Sequence, residues 1–351
     1  MFDVTPRRAT PTPCEVGAEA ACTGRRRRSD AWEEIDVVGG NLQHTTLRCF
    51  HSSAVDIVEM IGVGKSAITV KARMPKYGLV AIKCIPTERL SETEGTVGSR
   101  DSSFRLPLEV LIHSLLDHPR IPRLIGVCIE TSEVLLIQEL VSGAEPSALP
   151  SDLWTLVYSK GRDLGPRRVL GIARDVAMAL EHVHSHGICH CDVNPKNVLV
   201  TSDYRAKLTD FGCAKKHHHP SLAATSDGRS PHQSGRLKGC TIYLAPEATS
   251  ADEVSAKSDI YSFGVVLVEL LIRKRPWGDA PDCEIEYQTQ VEGRSALDRH
   301  WAEVEGACRG ERGLQSGFAT LIQAMLSFGP GDRPTAAEVR IGIESAAREA
   351  L

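Results

Sequence analysis

The apolar and polar positions divide the chain into a first part with short strand-like runs and a second part with helical periodicity. Short apolar runs begin at Val55, and residues 134–143 are typical of a buried strand that runs into a connecting segment. Residues 259–271 are apolar nearly all round, which predicts a buried helix. One face of an earlier predicted helix is formed by Val169, Ile172, Val176, Leu180 and Val183. The pattern therefore predicts strands in the first half and helices in the second.

The stretches between these elements are polar or rich in small residues. Residues 1–50 contain helix-breaking prolines and predict an unstructured tail, although residues 32–50 are a candidate for packing onto the domain edge. Residues 86–105 form a Gly/Ser-rich connection longer than a minimal one, which predicts flexibility. Residues 144–150 are rich in Ala and Pro and predict a separation between two lobes. The polar residues 279–316 give no clear element.

Composition and charge narrow the class of protein. The chain has 351 residues, 42% hydrophobic and 25% charged, which is typical of a globular protein of about two domains or lobes. The net charge of −4 gives no basic footprint for nucleic acid, and the Arg25 to Arg28 run is most simply a solvated basic tail. The 11 cysteines are odd in number and lack a CxxC pair, which favours reduced thiols over a disulfide framework. No apolar run approaches the ~18 residues of a membrane span. The N-terminus has no apolar region of the kind found in secretory signals. We therefore expect a cytoplasmic or nuclear protein without a membrane span.

The chemistry-bearing stretch is residues 186–212, where polar residues recur at distinctive spacings. Asp192 is followed five residues later by Asn197, then by a short apolar strand, a polar turn and a second strand that ends before Asp210. A chance Asp-rich loop beside a strand is the plain alternative. It is disfavoured because two motifs fall in order at a specific separation.

The pattern resembles the protein kinase family, in which HRD-x-x-x-x-N is followed by DFG. The resemblance implies that Asp192 orients or accepts the substrate hydroxyl proton. It also implies that Asn197 and Asp210 hold Mg²⁺ against the phosphates of ATP, since a hard cation prefers oxygen ligands. Lys196 would neutralise charge on the phosphoryl group in transfer.

Two upstream motifs extend the resemblance. Residues 61–73 resemble the kinase glycine-rich loop, with Gly62 and Gly64 in its first two glycine positions. Residues 80–83 are identical to the VAIK strand motif, which implies that Lys83 contacts phosphates and pairs with Glu109 on a helix. Alone, Lys83 reads as an edge-strand lysine and Glu109 as a solvated helix residue. By resemblance, Gln138 is the gatekeeper of the ATP pocket, and the remaining ATP-binding residues are Ile61, Thr69, Ala81, Glu139, Val141 and Leu199.

Several positions depart from the family pattern. Cys191 replaces the Arg of HRD, which argues against control through a phosphorylated activation loop. Asn194 stands where serine/threonine kinases carry Lys, whereas Lys196 stands where tyrosine kinases carry Arg. Ala67 replaces the third glycine, and His113 takes an apolar spine position one turn after Glu109. These departures motivate an alternative in which the chain is a pseudokinase that acts as a nucleotide-binding scaffold.

The later motifs complete the resemblance. Residues 213–238 have the composition of a mobile activation loop, and residues 239–247 resemble the loop that ends in APE. Asp259 is expected to brace the catalytic loop backbone. Arg333 is expected to form a buried structural pair with Glu247. The histidines at 182, 184 and 186 are interpreted as ordinary helix-end residues, and the His217 to His219 run is a weak metal-site hypothesis.

Together these motifs cover about residues 54–345. The resemblance implies an α+β, bilobal fold, with a small β-rich N-lobe and hinge over 54–143 and a mainly helical C-lobe over 144–345. It implies a kinase that uses MgATP to phosphorylate a protein hydroxyl, with Ser/Thr favoured over Tyr. A small-molecule phosphotransferase is disfavoured, because such enzymes lack the segment between DFG and APE.

Overall fold

The computed structural model describes residues 32–38, 45–64, 67–89, 96–99, 105–141, 151–159, 164–216, 240–248, 254–309 and 316–349. Among these residues, nine strands form one sheet in the order β3-β4-β5-β9-β8-β2-β1-β6-β7. The strands are β1 (Trp32–Val38), β2 (Thr45–Phe50), β3 (Asp56–Val63), β4 (Ile68–Met74), β5 (Gly78–Pro86), β6 (Thr96–Ser99), β7 (Arg105–Pro107), β8 (Leu124–Ile129) and β9 (Glu133–Glu139).

Strand β5 lies inside this sheet and pairs antiparallel with β4 over residues 78–84 and with β9 over residues 80–86. Its apolar residues Val80 and Ile82 are fully buried, because the sheet is covered on both faces by apolar side chains. Lys83 belongs to the same strand, so its backbone is held by the hydrogen bonds of the sheet. This arrangement places the candidate phosphate-binding lysine at a fixed point in the sheet.

Strands β1 and β2 correct the expected tail. The prediction of an unstructured segment over residues 1–50 is wrong for these two strands, which pair antiparallel and join the sheet through β8. Ile35 and Leu47 are buried in one apolar cluster and Phe50 in another, so both faces of these paired strands pack on apolar side chains. Strand β6 likewise lies within residues 86–105, for which flexibility was predicted.

The second part of the chain carries two small sheets and most of the helices. Strands β10 (Ser151–Asp152), β12 (Val198–Val200) and β13 (Ala206–Leu208) form one sheet, and β11 (Ile188–Cys189) pairs with β14 (Lys215–Lys216). The helices are α1 (Leu108–Ser114), α2 (Leu153–Tyr158), α3 (Pro166–Ser185), α4 (Ala256–Ile272), α5 (Asp282–Glu286), α6 (Ala296–Arg309), α7 (Ser316–Met325) and α8 (Ala336–Glu349).

Helices α3 and α4 form the centre of this second part, as the apolar patterns predicted. All five residues of the predicted α3 face are buried. In α4 the first turn is closed by a capping box at Ser255 and Ser258, and every residue from Ser258 to Leu271 is buried. The segment 279–316, which the pattern left unassigned, contains α5 and α6.

A β-rich part up to residue 141 and a mainly helical part from residue 151 give the expected two-lobed α+β fold. The predicted boundary at 143/144 falls outside the described residues, so the lobe limits stay predictions. Among the described helices, none combines the length and the apolarity that crossing a lipid bilayer requires.

Candidate active site

Lys83 connects three separate elements at the centre of the candidate site. It lies on β5, whereas Glu109 lies in the first turn of α1 and Asp210 lies two residues after β13. The Lys83 Nζ donates hydrogen bonds to Glu109 Oε1 at 2.7 Å, Glu109 Oε2 at 2.8 Å and Asp210 Oδ1 at 2.7 Å. We call these three residues the Lys83 cluster. The sequence-predicted pair and the predicted metal ligand are thereby brought together.

Lys83 and its two carboxylates shift one another's pKa values. Burial, together with the nearby Asp210, keeps the pKa of Glu109 above its usual value in spite of Lys83. Burial alone would lower the pKa of Lys83, but the carboxylates of Glu109 and Asp210 outweigh burial and raise this pKa above its usual value. Burial would raise the pKa of Asp210, but the Lys83 ammonium outweighs it and holds this pKa below its usual range. At neutral pH the site therefore presents one cation suited to phosphate and one carboxylate suited to a metal ion.

The backbone after β13 presents Asp210 to the site. Asp210 has a left-handed φ of 65°, a conformation that Asp tolerates better than most residues. Its Oδ1 also accepts a hydrogen bond from Gly212 N at 3.2 Å, and its side chain remains 44% exposed. A Cβ at Gly212 would lie 3.1 Å from Asp210 Oδ1 and 3.3 Å from Lys83 Nζ. The glycine therefore lets the backbone lie close to both charged groups, where a Cβ would crowd them.

Asp259 on α4 holds the backbone of the catalytic loop, as predicted. Its Oδ2 accepts a hydrogen bond from His190 N at 2.8 Å, and its Oδ1 accepts one from Cys191 N at 2.8 Å. His184 Nε2 donates to the same Oδ2 at 2.8 Å. Burial would raise the pKa of Asp259, but the bond from His184 outweighs it and lowers this pKa. These bonds fix Cys191 at its left-handed φ of 64°.

Asp192 and Asn197 lie side by side in this loop. Asn197 Nδ2 donates to Asp192 Oδ2 at 2.9 Å and to the Asp192 carbonyl at 2.8 Å. The amide nitrogen therefore faces Asp192, which leaves Asn197 Oδ1 as the atom suited to a cation. Asn194 Oδ1 accepts a hydrogen bond from Lys196 N at 3.0 Å and begins the short turn that ends at Asn197. Asn194 is thus a capping residue.

Lys196 lies outside the Lys83 cluster. Its side chain is exposed, and its Nζ lies 5.2 Å from the ring centroid of Trp154 on α2. That distance is within the range of a cation–π contact. Lys196 therefore marks the outer edge of the catalytic loop.

Three rings connect α1 to the catalytic loop. The Phe211 ring lies 5.5 Å from the ring of His113 and 5.1 Å from that of His190. His113 Nε2 donates to the Pro122 carbonyl at 2.7 Å, and burial lowers the pKa of His113 to about 4. The departure at His113 is therefore accommodated by a neutral imidazole with a hydrogen-bond partner.

The predicted residues of the glycine-rich loop lie on neighbouring strands. Ile61 and Gly62 belong to β3, and Gly62 pairs with Thr69 of β4. Gly64 N donates to the Ala67 carbonyl at 2.9 Å, which closes the turn between the two strands. Residues 65 and 66 lie outside the described residues.

The other predicted ATP-pocket residues lie on β5, β9 and β12 and just after β9. Ala81 of β5 pairs with Gln138 of β9, and both side chains are buried. Val141 is buried, whereas Leu199 on β12 is half-buried.

Glu139 is held within the fold at both its backbone and its side chain. Its N–H donates to the Arg123 carbonyl at 2.9 Å, and its carboxylate accepts bonds from Lys207 Nζ at 2.7 and 2.8 Å. A backbone contact from Glu139 to adenine would therefore use its carbonyl group rather than its N–H.

The predicted Glu247–Arg333 pair is present. Arg333 Nη1 and Nη2 donate to the two carboxylate oxygens of Glu247 at 2.7 and 2.8 Å, and the Arg333 side chain is fully buried. Burial would raise the pKa of Glu247, but Arg333 outweighs it and lowers this pKa. The pair anchors the segment after the APE motif.

Sequence reasoning missed a second buried carboxylate below this segment. Glu269 on α4 accepts hydrogen bonds from Tyr158 Oη at 2.6 Å and Tyr243 Oη at 2.7 Å. The two tyrosines lie far from Glu269 along the chain, so no local residue spacing predicts the contact. The network joins α2 to the loop that ends in APE.

The histidine clusters were considered as metal sites, and the structure leaves the hypothesis for residues 217–219 untested. The His217 to His219 run and most of the activation loop lie outside the described residues. Within the described residues, no group of three or more His, Cys, Asp or Glu could hold a metal ion. His182 instead stacks on His118 at a ring distance of 4.9 Å and lies 4.5 Å from the ring of His186.

Comparison with known proteins agrees with this geometry. Residues 55–341 match the family described as protein kinase domain. The chain is 31% identical over 219 residues to calmodulin-binding receptor-like cytoplasmic kinase 2 of Arabidopsis thaliana, which covers 62% of this chain and 49% of that protein. It is 30% identical over 257 residues to the probable serine/threonine-protein kinase PBL5 of the same plant, which covers 72% of this chain and 52% of that protein.

A third relative shows the same kind of partial overlap. The proline-rich receptor-like protein kinase PERK13 of Arabidopsis thaliana is 30% identical over 264 residues, which is 72% of this chain and 33% of that protein. The chain therefore spans about half or less of the length of these curated relatives.

Proposed function

Because the chain belongs to the protein kinase family, we propose that it transfers the γ-phosphate of ATP to a hydroxyl group of a protein substrate. The observation that carries the proposal is the Lys83 cluster, in which one ammonium group bonds both the Glu109 carboxylate and Asp210. In kinases this lysine–glutamate pair and the DFG aspartate must both be in place for phosphoryl transfer.

The nucleotide would lie between the glycine-rich turn and β12. Lys83 would bind phosphate oxygens, and Gly62 and Gly64 would let the backbone approach the phosphates. The adenine would be enclosed by Ile61, Thr69, Ala81, Gln138, Glu139, Val141 and Leu199.

Asn197 and Asp210 would hold the divalent cation that the family uses, which we propose to be Mg²⁺. Both residues offer an oxygen atom, which matches the ligand preference of a hard cation. When bound, the cation neutralises charge on the phosphate oxygens. The Asp210 side chain is 44% exposed and therefore accessible to such a ligand.

Asp192 would act on the acceptor. Its carboxylate orients the substrate hydroxyl and receives its proton as the hydroxyl oxygen bonds to the γ-phosphorus and the bond to ADP breaks. Asn197 holds the Asp192 carboxylate in position through its Nδ2. Lys196 would offset negative charge at the outer side of the phosphoryl group.

Serine or threonine is the favoured acceptor. The loop before Glu247 has the GxxxYxAPE texture of serine/threonine kinases, and one similar protein is described as a probable serine/threonine-protein kinase. Lys196 at the tyrosine-kinase position is the opposing feature. Nine cysteines of the described residues are thiols, which supports a cytoplasmic or nuclear location, where thiols stay reduced.

The test is transfer of labelled γ-phosphate from MgATP to the chain and to generic protein substrates. We expect transfer that requires the cation and is lost in Asp210→Asn. Asp279→Asn makes the same chemical change at an exposed position and should keep activity. Phosphoamino-acid analysis would identify the acceptor.

The opposite results favour the pseudokinase alternative. ATP binding without any transfer, in a protein whose Asp279→Asn control behaves like the natural chain, would indicate a nucleotide-binding scaffold. Absence of both binding and transfer would contradict the proposed nucleotide site itself.

A further inference from the structure

Strands β1 and β2, which we call the N-terminal hairpin, lie outside the region that matches the kinase family. We propose that this hairpin is a positioning element for the reaction, which holds α1 where Glu109 pairs with Lys83. The proposal rests on the proposed kinase function for its effect on rate. Its structural content, the dependence of α1 on the hairpin, can be measured without activity.

A continuous series of paired strands leads from β8, inside the sheet, to β7 at its edge and so to the start of α1. Strand β2 pairs parallel with β8 at Cys49 and Val127, and β1 pairs antiparallel with β2. Strand β1 then pairs with β6, and β6 pairs with β7. Strand β7 ends at Pro107, directly before α1 begins. The hairpin is therefore hydrogen-bonded, through two short strands, to the residues that enter the helix.

The hairpin also supplies apolar packing for α1. Ile35 of β1 and Leu47 of β2 are 6% and 5% exposed, and they belong to the same apolar cluster as Val110 and Leu111 of α1. The buried Leu106 on β7 completes this cluster next to the helix. Loss of the hairpin would remove two of the apolar side chains from this cluster.

Helix α1 depends on such packing because it is short. It has only seven residues, and its N-cap residue Pro107 makes no side-chain capping hydrogen bond. Isolated helices shorter than ~12 residues are marginal in water, so tertiary contacts supply their stability. Glu109 lies in the first turn, two residues after β7 ends and next to Val110 of the shared cluster.

The close packing of β2 against β8 requires a glycine at position 126. A Cβ at this position of β8 would lie 2.4 Å from the Arg48 carbonyl oxygen and 2.6 Å from Phe50 Cε2. Both atoms belong to β2, so only glycine permits the observed approach. Phe50 in turn makes an edge contact with Tyr77 at 5.6 Å, on the side of the sheet away from α1.

The first experiment uses Gly126→Ala as a steric wedge, with Gly306→Ala as the matched control because a Cβ at Gly306 meets nothing within 4 Å. Hydrogen exchange is followed in peptides from the hairpin, from residues 105–116 and from α4. We expect faster exchange in the hairpin and in residues 105–116 of the wedge variant, with α4 unchanged. The control should match the natural chain in all three.

The second experiment truncates the apolar contact without a clash. Leu47→Ala should speed exchange in residues 105–116 and lower kcat by about tenfold or more, because the Lys83–Glu109 pair must be in place for transfer. Leu47→Met keeps the apolar volume and should restore both values. Glu34→Ala, at an exposed position of the same hairpin, should change neither.

The outcomes separate the two proposals. If the hairpin exchanges faster while residues 105–116 and kcat stay unchanged, the hairpin does not position α1. If neither variant releases the hairpin, the close approach at Gly126 and the Leu47 packing do not hold it, and the proposal is equally wrong. If the natural chain transfers no phosphate, the proposed kinase function is wrong. Faster exchange of residues 105–116 in the two variants, with α4 unchanged, would still support the positioning role of the hairpin.

Discussion

The Lys83 cluster and the Glu247–Arg333 pair both centre on a buried cation, yet they differ in what surrounds it. Arg333 donates to Glu247 and also to the backbone carbonyls of Ser327, Phe328 and Lys257. Lys83 instead donates to the carboxylate side chains of Glu109 and Asp210. The first cation is fixed by backbone that belongs to one lobe, whereas the second joins α1 and the loop after β13 through side chains.

This difference indicates that the Arg333 pair is a permanent structural contact, which we call a brace, whereas the contacts of Lys83 can be replaced by those of a ligand. If a guanidinium with several fixed acceptors moves away, those buried acceptors lose their hydrogen-bond partner. An ammonium held by two side chains can exchange one of them for a phosphate oxygen. The comparison therefore predicts a stability defect at one site and a rate defect at the other.

The largest expected effect is on stability, from Arg333→Met. The change leaves Glu247 without its buried cation, which should lower the free energy of unfolding by about 3–5 kcal/mol. Urea unfolding measures the loss. Adding Glu247→Gln should recover part of it, because the uncompensated charge is then removed. A loss below about 1 kcal/mol would contradict the role of the pair as a brace.

The next effect is on rate, from Lys83→Met. Removal of one positioned charge from a phosphoryl-transfer site should lower kcat by about 10²–10³-fold. Initial rates of labelled γ-phosphate transfer provide the measurement. Lys274→Met, at an exposed ion pair, serves as the control and should keep the rate. Equal rates in both variants would show that Lys83 has no part in transfer.

A third prediction concerns His113, next to the Lys83 cluster. Since burial lowers its pKa to about 4, the native ring stays neutral while the unfolded ring takes up a proton below pH 6.5. Stability should therefore be complete above pH 6.5 and should fall by about 3 kcal/mol as the pH drops to 4. His113→Leu should lose less stability over this window, measured by denaturant unfolding at each pH. Parallel curves for both proteins would contradict a buried neutral imidazole.

The smallest effect is expected at an exposed pair. Lys274 and Glu303 form a 2.7 Å contact, but both side chains are about half exposed. Lys274→Ala should therefore change the free energy of unfolding by about 0–1 kcal/mol, and salt should reduce even this. A loss as large as that of Arg333→Met would remove the distinction between buried and exposed pairs.

Residue spacing predicted most of the candidate site because its motifs are local. The positions of Asp192, Asn197 and Asp210 follow from a loop and two short strands that lie within one continuous stretch. Lys83 and Glu109 required the resemblance to the family, since no spacing shows that a strand and a helix 26 residues apart will meet. The prediction for the N-terminal hairpin was wrong. Polar and small residues interrupt its apolar pattern, and its strands are stabilised by pairing with β8, which lies far away in the sequence.

The sequence by itself determined the family, the two-lobed fold and the residue types at the candidate site, because motif order and apolar periodicity are properties of the linear chain. The tertiary structure decided which groups meet: His184 at Asp259, the two tyrosines at Glu269 and the hairpin at α1. It also decided the charge states, such as the neutral ring of His113. Burial and the distance to other charges set these properties, and both exist only once the chain has folded.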